Sequence, residues 1–449
     1  MKKLLYVALL AVGVIIMMTP PAMAQEEKPF TLHGELRFRG EYNANAQDFD
    51  KNNTAGADDQ YNFWPYRVRI AAEGKFTKNV TAWIEFQNGG VFGSLGTTAR
   101  NGSDPALFTN TGNNAELYQG NITLDKLWWK NFTARIGRQE MVEGTELMLG
   151  DLDFYQGRTF DGLTGNFKLK KGNIMLFYTR VNESKAGTFS GAGFLPPDQI
   201  VSQGGGDINF AGAYTNWDIQ VGTLDVYLLN LTDHASLQDI TTLGARWGRD
   251  LVNKNGLFWN IEGAQQSGDA NDVDKAKGNV AEGWIGWNLK SGKNNHRFYA
   301  RIGMASGDDD PTDTDQKQFV PMFGDFHNRL GHGDFFQLSG NSTSLGGVPG
   351  ALSADLGIKG TGVGWNGMFG DRHEVGAEYW SFKTDKKDPV TNFDKLGTEW
   401  DVWYGYNFSK NLTFSAAVAE LSPDDALTGG GGANNDKVDR VYANARLRF

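Results

Sequence analysis

Cysteine is absent from all 449 residues. This excludes disulfides, thiolate metal sites and cysteine nucleophiles, and it excludes lipid attachment at an amino-terminal cysteine. Histidine is scarce, with six residues, and no G-x-S-x-G motif occurs, so the sequence points to no hydrolase triad. Beyond Met18 there is no run of about 18 apolar residues, and therefore no helical membrane span. No 3.6-residue periodicity lasts longer than a turn or two. Basic residues are outnumbered, 43 against 53 acidic, which argues against nucleic acid as a partner.

What is present begins with a leader. Met1-Lys2-Lys3 is followed by an apolar stretch from Leu4 to Met18 and then by Ala22-Met23-Ala24. A charged start, a short apolar core and an A-x-A site predict export and cleavage after Ala24. Residues 1–24 are then a signal peptide. Residues 25–449 show no shift in composition and are expected to form one domain.

Mean hydropathy is −0.45, a polar value, yet a β-barrel needs apolar residues only at alternate positions. That alternation is clearest at the carboxy-terminal end. Val441, Ala443, Ala445, Leu447 and Phe449 are apolar, while Arg440, Tyr442, Asn444, Arg446 and Arg448 lie between them. Side chains on a strand point to opposite faces with a period of two. The same two-faced pattern occupies Thr31 to Asn43, where Leu32, Leu36, Phe38 and Tyr42 alternate with Glu35, Arg37, Arg39 and Glu41. It recurs from Trp64 to Phe76 and from Val80 to Gln87. Short links such as Thr77-Lys78-Asn79 and Ser409-Lys410-Asn411 alternate with long stretches rich in Gly, Asn and Thr. The longest stretch is Gly307 to Ser344. About eighteen strands result, an even number, with short turns on one side and long loops on the other. The fold class expected is all-β: an antiparallel transmembrane β-barrel with short periplasmic turns and long extracellular loops. Parity slips at Ile136-Gly137-Arg138 and across Glu374 to Phe382, where a bulge is one explanation.

Opposite the apolar face the strands collect Arg37, Arg39, Arg67, Arg69, Arg135, Arg246, Arg297, Arg301, Arg440, Arg446 and Arg448. The same face carries Glu35, Glu41, Glu73, Glu85, Glu262, Glu399 and Asp401. Any one of these arginines could simply brace the lumen through a paired acid. As a set they would draw anions into a narrow, low-dielectric path and bind carboxylates through their planar donor forks. Weak, repeated sites of this kind suit passage.

Three blocks resemble the alginate export-like family of outer-membrane porins. The first is Gly34-Glu35-Leu36-Arg37-Phe38-Arg39 with Arg67-Val68-Arg69. The second is Ile136-Gly137-Arg138-Gln139-Glu140, followed by Gly157-Arg158-Thr159-Phe160-Asp161-Gly162. The third is Ala305-Ser306-Gly307-Asp308, Phe319, His327 and Gly331 to Asp334. The resemblance implies an eighteen-stranded barrel with an arginine-rich pore for an acidic uronate polymer. It also implies that Arg37, Arg39, Arg67, Arg69, Arg138 and Arg158 lie in or near the conduit.

The expected function is therefore a channel for passive passage of anionic solutes in the bacterial outer membrane, surrounded by lipid and lipopolysaccharide. Uronate-type polysaccharide belongs among the candidate solutes. A general diffusion porin, and an adhesive barrel acting through its long loops, stay open as alternatives. A hydrolase at the barrel rim is a third, though we expect no enzyme. No cofactor and no metal are expected. His327, His332 and Asp334 are read as loop hydrogen-bonding groups, and Asp308-Asp309-Asp310 with Asp313 and Asp315 as a solvated or cation-bridged loop. The sequence leaves monomer and trimer open.

Overall fold

The computed structural model describes residues 29–45, 49, 51, 60–92, 115–182, 207–251, 254–310, 312–338, 356–428 and 435–449. The expected leader, residues 1–24, lies outside the described residues, as do parts of several long loops, including Gly429 to Gly432.

Eighteen long strands follow one another: β1 (Phe30–Ala44), β2 (Pro65–Thr77), β3 (Val80–Val91), β4 (Glu116–Asp125), β5 (Phe132–Gln139) and β6 (Phe160–Leu169). Then come β7 (Gly172–Asn182), β8 (Ile208–Ile219), β9 (Gly222–Asp233), β10 (Gln238–Arg249), β11 (Gly256–Asp269) and β12 (Asn279–Ser291). The circuit ends with β13 (Asn294–Ala305), β14 (Ile358–Phe369), β15 (His373–Lys383), β16 (Lys395–Asn407), β17 (Leu412–Pro423) and β18 (Val438–Arg448). Each strand pairs antiparallel with the next. β1 also pairs with β18, placing Leu36 against Leu447 and Arg37 against Arg446. The ring is thus closed, and no long strand has a free edge.

Alternation explains why these residues make a tube in lipid. On β1 and β2 the odd-numbered Glu35, Arg37, Arg39, Arg67 and Arg69 are buried inside, while Phe38 and Ile70 are exposed on the outer surface. Apolar side chains ring the outside from Leu32 to Phe414. Near the short turns Trp128 and Trp129 cluster with Phe132 and Phe167, the aromatic girdle of a membrane interface. The first hairpin turns on Lys78-Asn79, one residue tighter than the predicted link, with a register shift between Lys75 and Thr77.

The first suspected parity slip is not a bulge, and the second stretch meets a register shift only at its far end. β5 pairs in unbroken register through Ile136, Gly137 and Arg138. On β15 the only shift lies at Phe382/Lys383. The apparent slip at β15 arises because Trp380 and Phe382, both apolar, face inward and are almost fully buried.

They are buried because two long connections fold into the tube. Residues 140–159 bring Met141, Leu147, Met148 and Leu149, and residues 306–338 bring Phe319, Met322, Phe323, Phe326, Leu330, Phe335, Phe336 and Leu338. These pack on the inner face of the long-loop ends of the strands, on Phe160, Phe210, Leu229, Ile240, Trp380 and Phe382 among others. Each fully buried side chain of this size contributes about 1.5–3 kcal/mol, so the loops are fixed parts of the channel. They also clasp each other: Gly150 N donates to Phe323 O at 2.8 Å and Asp325 N to Glu146 O at 2.9 Å. Gly303 on the wall permits the approach, since a Cβ there would stand 2.7 Å from Leu330.

Candidate functional site: an arginine belt and the loop that enters it

Register sets the belt. Arg37 on β1 is flanked directly by Arg446 on β18 and Arg67 on β2, and Glu35 is flanked by Arg448 and Arg69. Three guanidinium groups in one row would repel. Two carboxylates make the row stable. Glu35 accepts from Arg67 at 2.5 Å, from Arg446 at 2.5 Å and from Arg448 at 3.1 Å. Asp153, from the first inward loop, accepts from Arg67 at 2.5 Å and from Arg446 at 2.6 Å, with Arg69 at 3.7 Å and Arg448 at 3.8 Å. Burial alone would raise the Asp153 pKa; the guanidinium groups of Arg67, then Arg446, Arg69 and Arg37, outweigh it and hold the carboxyl well below the usual range.

The backbone of the same loop supplies acceptors. Arg37 donates to Asp153 O at 2.5 Å and also to Tyr155 O. Arg67 and Arg69 donate to Gln156 O at 3.0 and 2.5 Å. Arg69 also donates to Gln87 at 2.7 Å and lies 3.9 Å from the Tyr118 ring. Two backbone devices aim the loop. Leu152 has φ +53°, a left-handed conformation that costs a bulky residue energy and turns the next side chain into the belt. Gly157 has φ +105°, and a Cβ there would stand 2.1 Å from Arg69 Nη2.

Above this row Arg39 is held between the Phe154 and Tyr442 rings, at 3.8 and 4.0 Å, and pairs with Glu41. Arg440 donates to Glu41 at 3.1 Å and to Gly333 O at 2.8 Å, tying the second inward loop to the wall. His327 Nδ1 lies 3.0 Å from Asp334 Oδ2 and the His332 ring stacks on Trp403. His332 Nδ1 also lies 3.2 Å from the Tyr442 hydroxyl. Among the 308–315 aspartates, Asp313 pairs with Lys317 and Asp315 with Lys277.

The remaining predicted arginines divide. Arg246, Arg297 and Arg301 face inward across the lumen, paired with Asp225 at 2.6 Å, Asp250 at 2.9 Å and Glu378 at 3.2 Å. Arg135 faces inward beside Thr164 and, among the described residues, has no ion-pair partner. Arg158 sits in the first inward loop, donating to Gly150 O and Gly324 O, and so fastens the two loops together. Arg138 is a correction. It points outward with Ile136 and pairs with the exposed Asp161 at 2.6 Å. It does not line the conduit, because register runs straight through Gly137. Sequence reading also missed Asp225, Glu282 and Glu378, inward acids whose neighbours on the strand made the parity ambiguous, and Asp153 itself, which no strand pattern marks.

A closed eighteen-stranded tube, narrowed by inward loops and crossed by a row of arginines, defines a porin-type barrel channel. The comparisons agree. The alginate export family model matches residues 28–341, and the chain belongs to that family. In structure it is similar to a BenF-like porin from Pseudomonas fluorescens Pf-5, with TM-score 0.58 and 13% identity over 94% of this chain and 99% of that one. It is similar to Pseudomonas aeruginosa OpdQ, with TM-score 0.58 and 14% identity over 94% and 99%. OpdK of the same species, solved with vanillate, matches with TM-score 0.55 and 13% identity over 93% and 98%. No curated protein matches in sequence.

Proposed function

We propose that the protein is an outer-membrane channel for passive passage of anionic solutes, with carboxylated sugars of the uronate type as its preferred class. One observation carries this reading: a carboxylate, that of Asp153, is already seated among Arg67, Arg446, Arg69 and Arg448. The donor forks therefore have the spacing that a carboxylate needs. Glu35 shares the same arginines and keeps them from holding a passing anion too firmly. Family membership supports the solute class, and the vanillate bound to OpdK is itself a carboxylate. Planar-bilayer recording of the purified protein in a salt gradient tests the proposal. A reversal potential of anion-preferring sign is expected, weakened or inverted by Arg67→Ala with Arg446→Ala. Cation preference in the wild type, or selectivity indifferent to the double substitution, would refute it.

A further inference from the structure

Half a ring away from the belt, on β9 to β15, the lumen opens into a cavity of about 560 Å³. Its walls come from the strand ends beside the short turns, and Thr145 of the first inward loop contributes to its lining. The volume is that of a small-molecule site. Its chemistry differs from the belt's. Four guanidinium groups, Arg246, Arg249, Arg297 and Arg301, share the cavity with four carboxylates in or behind the wall: Arg246 pairs with Asp225, Arg297 with Asp250 and Arg301 with Glu378, while Arg249 lies 5.5 Å from the Trp259 ring and Glu374 stands as the fourth acid. A balanced set has no net pull on an anion. It does offer closely spaced planar donors and acceptors, the arrangement that satisfies hydroxyl groups, each both donor and acceptor.

Three further features fit a polyhydroxylated ring. Trp284 faces the cavity from β12, and among the described residues no other aromatic ring stacks on it; Arg301 lies 5.9 Å from its centre. Such a face takes the apolar side of a ring. The polar forks are pre-set: Arg297 lies 4.0 Å over Phe258, and Asn366 Nδ2 donates to Glu374 at 2.6 Å. Finally, Asn260 is 2% exposed, its Oδ1 accepts from Arg246 at 3.2 Å, and its Nδ2 has no partner among the described residues. A buried donor without a partner beside an open cavity is a place for an acceptor.

We propose that this cavity is a saccharide subsite that reads the ring and its hydroxyls independently of net charge, while the belt sorts charge. The inference goes beyond the anion-channel reading and does not require it.

The test is single-channel recording of the full-length protein with a neutral malto-oligosaccharide added on the short-turn side, with benzoate as the competing chemistry. The sugar is expected to produce resolvable current interruptions. Trp284→Ala should shorten them by on the order of tenfold, and Trp284→Phe, which keeps a ring, should retain most of their duration. Absence of sugar interruptions in the wild type, interruptions unchanged in Trp284→Ala, or interruption by benzoate and not by sugar would each overturn the proposal. The wild-type reversal potential, read on the same membrane, separates the two readings. Anion preference without sugar interruptions sinks only the subsite, and sugar interruptions without anion preference sink only the belt.

Discussion

The carboxylate of Asp153 lies 2.5 Å from Nη2 of Arg67, a guanidinium group with no solvent exposure. The two residues come from different parts of the chain, a long loop and the second strand, and their contact decides what the channel presents to a solute. The belt is partly occupied by the protein itself, and an anion entering it would meet arginines already shared with a tethered acid.

Asp153→Asn should therefore strengthen anion preference. It removes a negative charge that Arg67, Arg446 and Arg69 share while keeping the side chain's shape. The ratio of anion to cation permeability, read from the reversal potential, is expected to rise several-fold. An unchanged ratio would mean that Asp153 screens nothing.

Arg67→Ala should be costly to the fold as well as to selectivity. It takes a close partner from both Glu35 and Asp153 in a buried setting, and breaking a buried pair from one side costs about 3–5 kcal/mol. Arg67→Lys should recover part of the stability but little of the selectivity, because an ammonium cannot fork to Glu35, Asp153 and Gln156 O together. Midpoints of urea unfolding in detergent or lipid check the first claim and bilayer recording the second.

Gly157→Ala should loosen the first inward loop. The residue needs a left-handed backbone, φ +105°, and its missing side chain leaves room for Arg69 Nη2 and the Tyr118 hydroxyl. Strain of this kind costs about 1–3 kcal/mol. Larger, noisier conductance and faster proteolysis within residues 140–159 are expected, and conductance identical to wild type would count against the loop as a constriction.

Acidity should tighten the channel. Burial, reinforced by Asp151 and Asp325, pushes Glu146 up to about 7 from its usual 4.5. Burial also raises Asp151, with Asp153 adding to it. Because these folded-state values lie above the unfolded ones, the neutral forms favour the folded loops. The stabilisation that these neutral carboxyls lend the clasp is then fully present below about pH 4.5 and is lost as pH rises through about 7. Conductance should rise over that window, and Glu146→Gln should flatten the rise. A pH dependence unaltered by Glu146→Gln would locate the titration elsewhere.

Much of the wall was legible because a period of two leaves few alternatives. Leu36, Phe38 and Ile70 outside with Arg37, Arg39 and Arg67 inside follow from alternation once one face is apolar. The channel's interior was not legible by the same rule. A strand whose inner face meets water reads as polar. One whose inner face meets a folded-in loop reads as apolar on both sides, as at Trp380 and Phe382. The loops gave no periodic signal, since Phe323, Phe336 and Leu147 sit among Gly, Asp and Asn without spacing. Asp153 looked like one loop acid among many. Arg138 went wrong differently: the resemblance placed it in the conduit, whereas register turns it outward to Asp161.

The seam between the first and last strands joins residues separated by nearly the whole chain, with Leu36 against Leu447. Until the final strand exists, the tube has two bare margins instead of none, each a row of unsatisfied amides in hydrocarbon. Assembly must therefore be all-or-nothing in its last step. Loss of Val438–Arg448 should cost the cell the entire molecule, not one eighteenth of its wall.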